Sequence, residues 1–344
     1  MSVIDVNSLL SEISPDAPCG EDLEYDPAFG ELERSAQSTP EQTIGDSVAG
    51  GEPPDWRTVR DQATELLGRS KDLRIAVYLL QAMTRTDGVE GLSDGLALLR
   101  GLLERYWDEV HPQLDPEDDN DPTFRINTIT TLCDRDALLN SVREAPLTNS
   151  RGLGRFGLHD IQVAKGELSA PEDGDEPPNL AMIEAAFTDT ELEELQATAD
   201  AVTRCNGDLV AIDATLMEKV GSSQAPDLGA LSALLKEAQT VLNDELVKRG
   251  AGDDSIAEGD DSDAQGAQAV QSVSGVIGTR EDAVRMMDKI SDYFQRNEPS
   301  SPVPLLMQRA KRLVSMDFMD ILRDMTPDGV HQAESIGGIN DDEE

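Results

Sequence analysis

The chain has 344 residues and a mass of 37.2 kDa, and its 28 Lys+Arg against 69 Asp+Glu leave a formal charge of −41 and a pI near 4.1. That much surplus negative charge is repelled by phosphate backbones and anionic headgroups, which argues against nucleic acid or a lipid surface as a direct partner. Hydrophobic residues at 38% are enough for two or three cores, aromatics at 3% make those cores aliphatic, and no run approaches the ~18 apolar residues a membrane span requires.

Cys19, Cys133 and Cys205 lie far apart in the sequence, so neither a disulfide framework nor a CxxC metal or redox site is expected. The first residues, Met1-Ser-Val-Ile-Asp, carry no basic segment, and the reading is of a soluble chain kept in a reducing cytoplasm. Residues 1–54 are dense in Pro, Gly and Asp and read as an irregular N-terminal arm with one apolar patch at Val6, Leu9 and Leu10. A helical domain is expected over 55–165. Asp55 is placed to cap a first helix carrying Trp56, Val59, Ala63, Leu66 and Leu67 to a stop at Gly68. Leu73, Ala76, Val77, Leu80 and Met83 repeat at helical spacing up to Asp87-Gly88, and Leu92, Leu96, Leu99, Leu103, Tyr106 and Val110 make a third helix that runs to His111-Pro112. Asp121-Pro122 opens a fourth, with Ile126, Ile129, Leu132 and Cys133 on its apolar face. The stretch 148–180, rich in Gly, Pro and acid, reads as a connection with a short strand or turn at Leu158–Val163.

A middle αα-hairpin domain is expected over 180–248: Leu192, Leu195, Ala199, Val202, Leu209, Ile212, Leu216 and Val220 keep near-heptad spacing, residues 221–227 break it, and Leu228 to Leu242 resume it. Residues 249–278 read as a flexible acidic linker, with no Lys or Arg between Arg249 and Arg280. The segment 279–340 reads as a small helical oligomerisation module, because fewer than fifty helical residues make a marginal core and 279–325 balances eight basic against eight acidic residues. Its candidate self-contact residues are Met286, Met287, Ile290, Tyr293, Phe294, Leu305, Leu306, Leu313, Phe318, Ile321 and Leu322. The expected class is all-α throughout.

Three motifs fail on context. Gly91-Leu-Ser93-Asp-Gly95 matches the G-x-S-x-G nucleophile elbow, but no buried strand precedes it, so the glycines read as helix-packing positions. Gly152-Leu-Gly154-Arg-Phe-Gly157 matches G-x-G-x-x-G, yet neither the strand before nor the helix after that a dinucleotide site requires is expected. The acidic run from Asp115 to Asp121 lacks the glycine and glutamate of a calcium loop and reads as a solvated turn. No catalytic residue, cofactor site or metal site is assigned.

Longer strings carry a resemblance. Ser14-Pro-Asp-Ala-Pro-Cys-Gly-Glu-Asp-Leu-Glu-Tyr-Asp26, Pro54-Asp-Trp56, Lys71-Asp-Leu-Arg74, Tyr106-Trp107, His111-Pro-Gln-Leu-Asp115, Asp118-Asp-Asn-Asp-Pro122 and Arg125-Ile-Asn127, with Ser291 to Pro304 and Arg309 to Val314 at the other end, resemble short members of the TssA (ImpA) family. The resemblance implies a non-enzymatic cytoplasmic scaffold of the bacterial type VI secretion system, recruited to the inner-membrane-bound baseplate. Such a scaffold contacts baseplate, sheath, inner-tube or spike and membrane-complex subunits and assembles as a homo-oligomer through its C-terminal region. Family members with a longer C-terminal domain resemble caps of the growing sheath, so a tail-sheath cap or assembly chaperone is the alternative, followed by an adaptor that binds a basic partner. The residues carried over as fold or partner elements are Glu21, Asp22, Asp55, Trp56, Asp72, Arg74, Trp107, His111, Asp119 and Arg125.

Overall fold

The computed structural model describes residues 2–38, 53–114, 117, 119–169, 177–250, 284, 287, 290–291 and 302–314, with the backbone alone of 42–44, 47–49 and 313–314. The chain divides into two compact units, Met1–Glu258 and Gly259–Glu344.

The first unit is built of helices around one aliphatic core. Residues 1–54, expected to be irregular, contain α1 (Val6–Leu9) and α2 (Pro27–Ser35), and they bury Leu10, Cys19, Leu23, Phe29 and Leu32. Pro27 takes the first turn of α2 and the Asp26 carboxylate accepts from the Ala28 amide at 2.8 Å, so local capping suffices to start a helix amid turn-forming residues. A two-stranded antiparallel ribbon follows, β1 (Gln42–Ile44) with β2 (Ser47–Ala49), Thr43 opposite Val48. It is a small exception in an otherwise helical unit.

Asp55 caps α3 (Trp56–Leu67) as its sequence position suggests, accepting from the Arg57 amide at 3.1 Å. The two helices expected next form α4 (Leu73–Tyr106), which breaks at Gly88, where φ is 63° and ψ is −139°. A side chain there meets the left-handed penalty that glycine avoids. The two arms fold back on each other: a Cβ at Gly95 would lie 2.7 Å from Leu80 Cγ, and one at Gly91 only 2.2 Å from the Met83 carbonyl oxygen. Ser93 sits between these glycines inside a helix, buried, and accepts from Arg204 Nε at 3.2 Å. The G-x-S-x-G string is thus a helix-packing surface.

The second arm ends at Tyr106, four residues short of the expected Val110, because the carbonyls of Trp107 and Val110 are taken by a guanidinium instead of by a continuing helix. α5 (Thr123–Thr130), a tight turn at Thr131–Cys133, a wide turn at Arg135–Leu139 and α6 (Asn140–Glu144) follow. The strand or turn expected at Leu158–Val163 is instead α7 (Leu158–Ala164), whose Asp160 carboxylate accepts from the Gly157 amide at 2.9 Å. A helix therefore does follow the Gly152–Gly157 glycines, but Leu147–Ser150 before them pair in a turn with Gly154 and Phe156, not in a sheet strand.

The middle segment adds α8 (Leu180–Asp189), α9 (Leu192–Val220) and α10 (Gly229–Lys248). α9 and α10 pair as the expected hairpin, turned at Gly221. The α8 end is closed by Arg249, whose Nη1 donates to the Thr190 and Phe187 carbonyls at 2.6 and 3.3 Å. The hairpin does not stand apart: α9 lies along α4, so residues 55–165 and 180–248 share one unit. In the second unit, α11 (Val303–Val314) carries Leu305 and Leu306 at 71% and 58% exposure.

Candidate functional site

The densest polar chemistry lies where the N-terminal arm, the start of α4 and the segment after α4 meet. Gly20 adopts φ +71°, and a Cβ on it would fall 2.2 Å from the Arg69 carbonyl oxygen. Only glycine allows the arm to cross the α3–α4 connection that closely. The Lys71 amide donates to the Cys19 carbonyl at 2.7 Å, the His111 amide to the Lys71 carbonyl at 3.0 Å, and the Leu73 amide to the His111 carbonyl at 2.8 Å. Three separate stretches are thereby tied into a short ladder without forming a sheet.

Side chains fill the gaps in this ladder. Asp72, fully buried, caps α4 through the Arg74 amide at 2.8 Å and receives the same residue's guanidinium at 2.7–3.2 Å. Arg74 also reaches Asp22 and Glu24 at 3.3 Å each and stacks over Phe29 at 4.9 Å. Although burial opposes its charge, the hydrogen bond and charge of Asp72 with those of Asp22 and Glu24 hold the Arg74 guanidinium above its ordinary value. One cation fastens the arm to the helix start.

Arg125 performs the matching task on the other side. It is 1% exposed and donates from Nε to the Pro112 carbonyl at 2.7 Å, from Nη2 to the Val110 carbonyl at 2.6 Å and from Nη1 to the Trp107 carbonyl, with its plane 5.0 Å from the Trp107 ring. Burial draws its pKa down to about 10. The planar fork satisfies three carbonyls at once, a geometry that the point charge of a lysine does not offer. His111, 2% exposed, donates from Nε2 to the Gly20 carbonyl at 3.2 Å. Lys71, 1% exposed, donates to the Leu67 carbonyl at 3.0 Å, and burial lowers its pKa. Burial also pushes the Cys19 thiol up to about 11, which leaves it protonated and inert at neutral pH.

Of the residues singled out from sequence, Asp22, Asp72, Arg74, Trp107, His111 and Arg125 converge here, with Glu21 exposed at the rim. Asp55 and Trp56 lie elsewhere, the Trp56 ring 4.0 Å beneath the Arg85 guanidinium, which donates to the Asp136 and Ala137 carbonyls. Asp119 is in a turn with φ 51°, and Asp121, just before α5, accepts from the Thr123 amide and hydroxyl at 3.3 and 2.8 Å. Sequence reasoning left out Glu24, Phe29 and Lys71, whose partners are up to about fifty residues away in the chain. Among the described residues no group of three or more His, Cys, Asp or Glu is placed to hold a metal ion, and no helix is long and apolar enough to cross a membrane.

In the second unit, Leu305 and Leu306 are exposed, Ile290 is exposed and Met287 half-buried. Met286, Tyr293, Phe294, Phe318, Ile321 and Leu322 lie outside the described residues, as does most of the expected linker, and Leu313 is described by its backbone alone.

The geometry is that of a cross-brace made from cations, carbonyls and carboxylates. A family model described as ImpA, N-terminal, type VI secretion system, matches residues 10–134, which contain the entire brace. The chain is 46% identical over 346 residues to the type VI secretion system component TssA1 of Pseudomonas aeruginosa, covering 98% of this chain and 99% of that protein. It is also similar in fold to the solved N-terminal domain, including the ImpA_N region, of the TssA component of the type VI secretion system from Burkholderia cenocepacia. That likeness has a TM-score of 0.59 at 27% identity and covers 73% of this chain and 96% of that one.

Proposed function

Because the chain belongs to the TssA (ImpA) family of type VI secretion components, we propose that it is a non-enzymatic scaffold of the secretion baseplate, working in the cytoplasm and assembled into a homo-oligomer through residues 279–340. The observation that carries this reading is the match over 98% of the chain to a component of the same secretion system, which includes the C-terminal segment. Within that segment 279–325 is charge-balanced in a chain of −41, so copies can approach there without the repulsion that separates the rest of the surface. The exposed Leu305 and Leu306 of α11 supply apolar area for such a contact. The brace supports a structural role for the N-terminal motif, since its guanidinium groups are spent on carboxylates and on the backbone. Oligomerisation then multiplies weak contacts to baseplate, sheath, tube and membrane-complex subunits.

Light scattering on the full-length chain and on a chain lacking 279–344 tests the assembly. A high-order oligomer that falls to monomer or dimer on deletion is expected, and an unchanged mass overturns the assignment. A fluorescent fusion tests the location: a focus that stays at the membrane end of the extending sheath fits the baseplate role, whereas one that travels with the distal tip assigns the cap role.

A further inference from the structure

The break in α4 opens a cleft of about 860 Å³, lined by Trp56 and residues 84–90 on one side, residues 141–149 on another and the start of α9 on the third. Asn149, Arg155, Glu194 and Ala197 in its lining are exposed, so the cleft is open to solvent. The hydroxyls of Thr84 and Thr190, which also line it, each donate to the carbonyl one helical turn back, of Leu80 and Ala186, at 2.8 Å. For Ser141 the corresponding carbonyl is that of Ala137, which already accepts from Arg85 Nη2 at 2.6 Å. Ser141 is 7% exposed, lines the cleft, and its hydroxyl has no hydrogen-bond partner among the described residues. Thr148, 2% exposed, accepts from the Phe156 amide at 2.9 Å, but its own proton has no acceptor among them. An unpaired buried hydroxyl costs stability, and folded chains keep one chiefly where something outside the fold satisfies it.

The charges in the lining decide the ligand's chemistry. Its acids are engaged: Asp87 with Arg60 at 2.8 Å, Glu90 with Arg204 at 3.1 Å and Glu194 with the Asn149 amide group at 3.0 Å, while Glu144 lies in the field of the Arg85 guanidinium. Arg155 is not: its Nε donates to Asn149 Oδ1 at 3.1 Å, and no carboxylate pairs with it among the described residues, in a chain with 69 acids. What the cleft leaves unspent is therefore a set of donors, two buried hydroxyls and the open end of a guanidinium fork. Small molecules favour enclosed and mostly apolar pockets, whereas an open cleft of mixed lining suits an extended peptide, which offers a carbonyl at every residue. We propose that this cleft binds an extended segment of a partner protein, with backbone carbonyls accepting from Ser141 and Thr148 and an Asp or Glu side chain pairing with Arg155. The bidentate geometry of Arg155 with a carboxylate selects an acidic segment locally, against the repulsion of the chain's overall charge. That the partner is another secretion component rests on the assembly reading above, and the chemistry of the cleft does not.

The test uses the full-length chain with the photo-crosslinker p-benzoylphenylalanine at position 197, expressed in cells that carry the secretion system, with adducts mapped to peptides by mass spectrometry. The captured segment is then synthesised and titrated calorimetrically into the full-length chain. A segment bearing Asp or Glu is expected, with its Kd raised about tenfold by Ser141→Ala and by Arg155→Glu, and the Arg155→Glu loss largely recovered when the peptide's acid is replaced by arginine. Ser141→Ala should melt at the parent's temperature or about 1–3 °C above it, because it removes an unpaired buried hydroxyl. Absence of an adduct, a segment without an acid, or a Kd indifferent to either substitution overturns the proposal. So does a Ser141→Ala chain that melts more than about 2 °C below the parent, since the hydroxyl then serves the fold. A captured segment from a protein outside the secretion system, bound with the expected sensitivities, supports the cleft and counts against the assembly reading.

Discussion

The brace around Arg74 and Arg125 and the α9–α10 hairpin stabilise the same unit by opposite means. In the brace, backbone that belongs to no helix or sheet is held by a half-buried and a buried guanidinium, each with a specific set of carbonyl or carboxylate partners. In the hairpin, Leu195, Val202, Leu209 and Leu216 face the aliphatic side chains of α10 and α4. Its polar ties, among them Arg100 to Asp208 at 3.1 Å, Arg204 to Glu90 at 3.1 Å and to Ser93 at 3.2 Å, and Asn206 to the Leu235 carbonyl at 3.4 Å, flank that apolar seam. Packing of leucine on leucine accepts many sequences of about the right volume, whereas three carbonyls converging on one point accept a guanidinium and little else. The strings that resemble the family accordingly crowd into the brace, and the hairpin carries hardly any.

The sharpest break in this comparison is Arg125→Met, which leaves three inward carbonyls without a donor and should cost about 3–5 kcal/mol in urea unfolding. Arg125→Lys should recover less than half of that, because one ammonium cannot span all three acceptors. The hairpin should behave differently under the same measurement. Leu216→Ala is expected to cost about 2–4 kcal/mol, but Leu216→Met below about 1.5 kcal/mol, the tolerance that volume-driven packing predicts. Gly95→Ala tests the folded-back arms of α4: with Leu80 Cγ 2.7 Å from the new methyl, about 1–3 kcal/mol of overpacking should lower the melting temperature. The smallest effect concerns acid. The hydrogen bonds from Thr58 and Arg57 hold the Asp55 carboxyl below its ordinary range, and the Ala28 amide and Arg69 do the same for Asp26. A carboxyl whose folded pKa is depressed contributes stability above its unfolded value, near pH ~3.9, and loses it as pH falls through the folded one. Asp55→Asn, which still caps α3, should match the parent's melting temperature at pH 7 and decline less steeply below about pH 4.

Legibility in the sequence followed the range of the forces involved. Periodicity and caps act over a few residues, so the helix starting after Asp55, the break at Gly88 and the hairpin of α9 with α10 could all be read directly. Composition misled where a short helix was set among turn formers: Leu158–Ala164 was masked by its Gly- and Pro-rich flanks, and Pro27–Ser35 by the acids around it. The early end of α4 could not be read at all, because it depends on Arg125, 18 residues beyond the Trp107 carbonyl it binds. Resemblance picked out Arg125 and Asp72 as residues that matter, and only the fold shows that their partners are backbone atoms and each other.

The Gly20 crossing also sets a constraint in time. The arm's buried residues, from Leu10 to Leu32, dock against α3 and α4 and are locked by the Lys71 amide and His111, so they leave the ribosome well before their receptor exists. At a synthesis rate of about 5–20 residues per second the interval is on the order of ten seconds. During it the nascent arm holds only a handful of apolar side chains among seven carboxylates. An acid-rich leading segment of that kind stays dispersed while it waits, so the chain can delay its first long-range contact until the pieces that complete it have been made.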